Sequence, residues 1–140
     1  EFVILLFLAA WGNDTLAYCT GMLIGKHKMS PILSPKKSIE GLVGGIVGAA
    51  ILGALYGLYL NTYIRFSFNP VTMFPIVCGL GGAVSVIGDL AASAIKRDSG
   101  IKDYGTLIPG HGGILDRFDS IIFIAPVIYY LTVMISGGAI

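Results

Sequence analysis

The residues able to do chemistry gather in one stretch, Ser93 to Asp119, which reads SAIKRDSGIKDYGTLIPGHGGILDRFD. Charged residues make up only 12% of the chain, yet Lys96, Arg97, Lys102 and Arg117 stand here beside Asp98, Asp103, Asp116 and Asp119. Lysine and arginine supply donors that match phosphate oxygens, and clustered carboxylates are hard oxygen ligands suited to Mg²⁺. The glycines of Pro109-Gly110-His111-Gly112-Gly113 let backbone N–H groups come close to an anion. Together these residue types describe a site for a metal-bound polyphosphate.

Further acids lie inside apolar runs. Asp14 follows Asn13 near the middle of EFVILLFLAAWGNDTLAYCTGMLIGK, where a carboxylate costs about 2.5 to 3.5 kcal/mol on insertion scales. It is therefore expected to face the bundle interior, as a site residue or as a structural pair with another helix. Asp89 belongs to a series at four-residue steps, Gly81, Ser85, Asp89, Ser93 and Arg97, which makes one polar strip on a helix. At about 1.5 Å per residue, Asp89 lies about 12 Å below Arg97, in a wet cavity.

Ser34-Pro35 reads as an N-cap and first helical residue, which predicts that Lys36 and Lys37 occupy a first helical turn and attract anions. The competing reading of these lysines is a topology signal without a ligand. Glu40 is expected to pair with them or with a metal. His111, between glycines, is expected to donate to a phosphate oxygen, against the plainer role of a turn residue, and His27 to be solvated.

The spacing is similar to a known signature. Ser93, Lys96-Arg97, Lys102-Asp103, Gly105, Ile108-Pro109, His111-Gly112-Gly113, Asp116-Arg117 and Asp119 resemble the motif of the phosphatidate cytidylyltransferases, or CDP-diacylglycerol synthases. Two further blocks resemble that family: Asn13-Asp14-Thr15-Leu16-Ala17-Tyr18 with Gly21 and Gly25-Lys26, and Ser34-Pro35-Lys36-Lys37-Ser38-Ile39-Glu40-Gly41. The resemblance implies an integral membrane enzyme that condenses CTP with phosphatidate, giving CDP-diacylglycerol and pyrophosphate with a divalent metal. Members of the family carry several more spans upstream, so the resemblance covers their C-terminal half.

On this reading Asp89 and Asp116 are the principal metal ligands, with Asp14 and Asp119 as additional or supporting ones. Mg²⁺ is the expected cofactor, with room for a second, monovalent or divalent, cation. Lys96, Arg97, Lys102 and Arg117 hold phosphates, as do Lys36 and Lys37, while the turn through His111, Gly112 and Gly113 cradles them with backbone donors.

The elements that must position these groups are membrane helices. A hydrophobic fraction of 55% with mean hydropathy +0.84 exceeds what the surface of a soluble domain of this size can cover. Four runs approach the about 20 residues that cross a hydrocarbon core: Phe2 to Ile24, Ile39 to Leu60, Val71 to Ile95 and Ser120 to Ser136. The expected architecture is all-α, a polytopic bundle forming a single catalytic domain over residues 1–140. The first run lacks the basic start and cleavage site of a signal peptide, so it counts as a true span.

Lys26, Lys28, Lys36 and Lys37 follow the first run, and Lys96, Arg97, Lys102 and Arg117 follow the third, whereas Arg65 lies opposite. The positive-inside rule then makes residues 26–38 and 97–118 cytoplasmic loops, in a membrane of the bacterial inner or plasma type. The second run carries Gly41, Gly45, Ala49, Gly53 and Gly57, a small-residue face for close helix packing that also admits a homodimer. Cys19 and Cys78 read as small buried hydrophobes, and Pro126 is expected to kink the last span.

A net charge of +1 gives no footprint for nucleic acid. A CDP-alcohol phosphotransferase is the competing enzyme class, but its pattern of two aspartates four apart is missing, since Asp116 and Asp119 are three apart. A cation or proton transporter using Asp14 and Asp89 explains the buried acids and leaves the basic, glycine-rich segment without a purpose.

Overall fold

The computed structural model of the protein describes residues 2–30, 32, 34–101 and 115–137. Its first rod joins α1 (Phe2–Phe7), a π-helical turn (Leu8–Gly12) and α2 (Asn13–Ile24). An antiparallel hairpin of β1 (Lys28–Ser30) and β2 (Ser34–Ser38) follows, with Lys28 opposite Ser38 and Ser30 opposite Ser34. Then come α3 (Ile39–Tyr63), α4 (Pro70–Asp98) and α5 (Leu115–Ile135). Val3–Ile24, α3 and α4, at 22, 25 and 29 residues, are long and apolar enough to cross a membrane, and Ser120–Ile135 is a shorter apolar helix. The protein is an all-α integral membrane bundle with one small hairpin added.

That hairpin corrects the expected start of the second span. The helix opens at Ile39, not at Pro35, and its N-cap is Ser38, whose hydroxyl accepts from the Gly41 N–H at 3.1 Å. Lysines in a first helical turn meet the positive end of the helix dipole, whereas Glu40 there complements it. Lys36 and Lys37 are accordingly on β2, paired to β1.

Helix α3 is the spine, and its face of small residues is why. Gly41, Gly45, Ala49, Gly53 and Gly57 are all buried. A Cβ at Gly45 would come within 2.7 Å of Asn13 Oδ1 on α2, one at Gly53 within 2.6 Å of the Phe74 carbonyl on α4, and one at Gly57 within 2.5 Å of the Pro70 carbonyl. One end of the stripe thus docks α2 and the other docks α4, backbone against backbone. The opposite face, Val43, Val47, Ile51 and Leu55, is exposed, which suits a face turned to lipid.

The core lies between α1, α3, α4 and α5 around Leu5, Met73, Phe74, Val77, Ile124 and Ile128. Cys78 is buried there, whereas Cys19 lies exposed on α2, contrary to the expectation for it. The return loop does more than cross the surface, because Phe66 and Phe68 pack on Phe74. Asn69 caps α4 as predicted, its Oδ1 accepting from the Val71 N–H at 3.0 Å, with Pro70 as first helical residue. Helix α5 runs on through Pro126 and packs on α4 at Gly88, where a Cβ would lie 2.7 Å from Phe123.

Candidate functional site

At the hairpin end of the bundle, α2, the hairpin, the start of α3 and the last third of α4 enclose a cavity of about 560 Å³. Among the charged residues that line it are Asp14 of α2, Lys37 of β2 and Asp89 of α4, from three separate elements. The helical step explains their company. Ala17 and Gly21 follow Asp14 along α2 on the cavity wall, and Gly41 lets that wall approach α3 so closely that a Cβ there would be 2.7 Å from the Ala17 carbonyl. Asp89 extends the strip on α4, with Ser85 fully buried one turn before it and Val86 on the wall.

Lys37 Nζ forms an ion pair with Asp89 Oδ2, and both side chains are little more than a quarter exposed, 29% and 27%. Such a pair sits between the surface and buried limits, so neither charge is fully hydrated. The strip Gly81, Ser85, Asp89, Ser93 and Arg97 runs as expected from buried to exposed, with Gly81 and Ser85 buried and Arg97 exposed. Lys96 and Arg97 form the basic last turn of α4 and do not belong to the cavity wall.

In the first rod the buried polar residue is Asn13, at 0% exposure, with its Oδ1 facing Gly45 and Gly82. Asp14 is exposed and turned to the cavity instead of to the packed interior. An ionised carboxylate keeps water there, whereas a neutral amide is far cheaper to bury. Neither the Asn13 amide nor the Ser85 hydroxyl has a hydrogen-bond partner among the described residues.

The hairpin contributes more than expected. Lys26, His27, Lys28 and Met29 also line the cavity, and His27 is paired, not merely solvated: its Nδ1 lies 2.7 Å from Glu40 Oε1, and its backbone N–H donates to both Glu40 oxygens at 3.2 Å. Glu40 therefore pairs with the histidine and not with Lys37. The signal for this arrangement was the stretch KHKMSPILSPKKS, in which Pro31 separates two short polar runs, a break of the kind that divides paired strands.

Lys102, His111, Gly112 and Gly113 lie outside the described residues, as do the side chains of Lys36, Asp116, Arg117 and Asp119. The backbone of α5 carries Asp116, Arg117 and Asp119 in its opening turns. From the Gly88–Phe123 contact, Asp119 and Asp116 are about 6 and 10 Å further along α5 toward the hairpin end.

A cavity holding two carboxylates and several ammonium groups at a membrane helix end can bind a cation and an anion together. Among the described residues no group of three or more His, Cys, Asp or Glu side chains comes together, so the described part of the site offers two carboxylates at most.

Comparison with known proteins adds to this geometry. A phosphatidate cytidylyltransferase of Staphylococcus saprophyticus is 39% identical over 135 residues, 96% of this chain and 50% of that protein. Those of Staphylococcus haemolyticus and Staphylococcus aureus are 38% and 40% identical over 133 residues each, 95% of this chain and 49% of theirs. The chain thus spans about half the length of the curated relatives it matches. Residues 1–135 also match the model of the cytidylyltransferase family, and the chain belongs to that family.

Proposed function

We propose that this chain forms the nucleotide-handling half of a phosphatidate cytidylyltransferase, which transfers a cytidylyl group from CTP to phosphatidate. An oxygen of the phosphatidate phosphate attacks the α-phosphorus of CTP, the bond to the β-phosphate oxygen breaks, and CDP-diacylglycerol and pyrophosphate result. The observation that carries the reading is Asp14, Lys37 and Asp89 on one cavity wall, together with relatives named for this reaction.

Two anions must meet, so the barrier is chiefly electrostatic and is lowered by fixed charges and in-line positioning. The fit to a divalent cation such as Mg²⁺ rests on Asp89 already receiving the Lys37 ammonium, a carboxylate presented to positive charge, and on Asp14 lining the same cavity. Asp89 and Asp14, with Asp116 and Asp119 from α5, would hold that cation and any second one. When bound, the metal supplies charge neutralisation to the triphosphate oxygens.

Lys37 holds Asp89 in place in the free protein and offers its donors to a phosphate when substrate fills the cavity. Lys96, Arg97, Lys36, Lys102, His111 and Arg117 add further donors, and Gly112 and Gly113 add backbone N–H groups. The hairpin end faces the cytoplasm, where CTP is found, on the strength of the lysines that flank it.

The test uses the full-length protein in detergent with Mg²⁺, CTP and phosphatidate. Asp89→Asn and Asp116→Asn are each expected to lower CDP-diacylglycerol formation at least about 100-fold, the upper range seen even for groups that only support metal ligands. Activity within a few-fold of wild type in both variants overturns the metal role. Turnover of CDP-diacylglycerol without CTP would instead indicate an alcohol phosphotransferase.

A further inference from the structure

The hairpin that carries Lys37 has little of its own to hold it. A strand of three residues and one of five make a marginal unit in isolation, yet Lys37 must arrive at Asp89 across 52 residues of sequence. Something outside the ladder must fix the hairpin to the bundle.

Glu40 meets that need. It stands in the first turn of α3, where the helix N-terminus favours its charge. Its two oxygens receive the His27 backbone N–H at 3.2 Å each, and Oε1 also lies 2.7 Å from His27 Nδ1. The return bond runs from the Ile39 N–H to the His27 carbonyl at 2.9 Å. His27 and Ile39 are the residues flanking the ladder at Lys28 and Ser38, so the carboxylate closes the open end of the hairpin against α3.

We propose that Glu40 is a positioning residue, clasping His27 so that β2 delivers Lys37 to Asp89 and to the anion that enters the cavity. The inference rests on the reading that Lys37 serves the site. Two of the three hydrogen bonds between Glu40 and His27 come from the His27 backbone, which any residue at 27 supplies. Loss of the carboxylate therefore matters more than loss of the imidazole.

Lysine labelling of the full-length protein in detergent tests this without turnover. Brief acylation with an amine-reactive ester, read by mass spectrometry, gives the reactivity of Lys37 relative to the exposed Lys26. Asp89→Asn is expected to raise that ratio, as it removes the partner of Lys37. Glu40→Ala is expected to raise it on the order of ten-fold, the equivalent of about one charge-assisted hydrogen bond. Glu40→Gln, which keeps the shape and one acceptor, is expected to raise it less, and His27→Ala least.

In turnover assays the same Glu40→Gln variant is expected to raise the KM for CTP with kcat within a few-fold, a split that general loss of fold would not produce. A ratio unchanged in both Glu40 variants, while Asp89→Asn raises it, overturns the clasp. Because labelling needs no reaction, the two readings separate. A labelling shift without CTP-dependent product supports the clasp and sinks the reaction, and normal product with flat labelling does the reverse.

Discussion

Adding one methyl group to Gly53 tests the claim that backbone contact along α3 builds the bundle. A Cβ there would sit 2.6 Å from the Phe74 carbonyl, 2.9 Å from Cys78 Sγ and 3.0 Å from Cys78 Cβ. Carbon to carbonyl oxygen contacts settle at about 3.3 to 3.6 Å, so α3 and α4 must part by about 0.7 to 1 Å. Phe74 and Cys78 are both at 0% exposure, which leaves no soft neighbour to yield. Overpacking of this kind costs about 1 to 3 kcal/mol, against which alanine returns up to about 1 kcal/mol of helix propensity.

The net expectation for Gly53→Ala is a loss of about 1 to 2 kcal/mol. Gly79 supplies the control, since a Cβ there would meet only Ala50 Cβ, at 3.6 Å, an ordinary contact, so Gly79→Ala is expected to hold or gain stability. Unfolding of the full-length protein in micelles, followed by circular dichroism against heat or denaturing detergent, compares the two. A Gly53→Ala protein as stable as wild type, or a Gly79→Ala protein equally weakened, would refute the reasoning.

Other substitutions probe the site and its frame. Lys37→Met is expected to raise the KM for CTP about ten-fold or more, about the worth of one charged hydrogen bond, with Lys37→Arg milder in the same steady-state assay. Ser38→Ala removes the cap on Gly41 and is expected to cost about 1 kcal/mol in a melting experiment. Ser85→Ala deletes a fully buried hydroxyl that has no partner among the described residues, and its melting temperature is expected to match or exceed that of wild type.

The helices were legible because length and apolar composition dictate them: the runs read as Ile39 to Leu60 and Val71 to Ile95 became Ile39–Tyr63 and Pro70–Asp98. The glycine stripe was equally plain, because only one face of α3 lacks side chains. What the chain order hid was the hairpin. Two Ser-based caps compete within five residues, and the choice of Ser38 over Ser34 depends on strand pairing with Lys28–Ser30, a contact that local propensity does not encode. That Asn13, and not Asp14, takes the packed interior was hidden for a similar reason. Periodicity places a pair of neighbours only to within one residue, and the π-helical turn just before them alters the count.

That turn sets the aim of an acid several residues away. A π-helical turn takes in one more residue than the α-helix it interrupts, and each residue of an α-helix is worth about 100° of rotation. Winding the same residues as an unbroken α-helix, with none removed, would swing the downstream half of the rod by up to about that angle. Asp14 would leave the chamber it now overlooks, while every residue of the chamber's far side stayed where it was. An insertion upstream, in a segment with no ionisable group of its own, thus acts as the sight by which the charge is pointed.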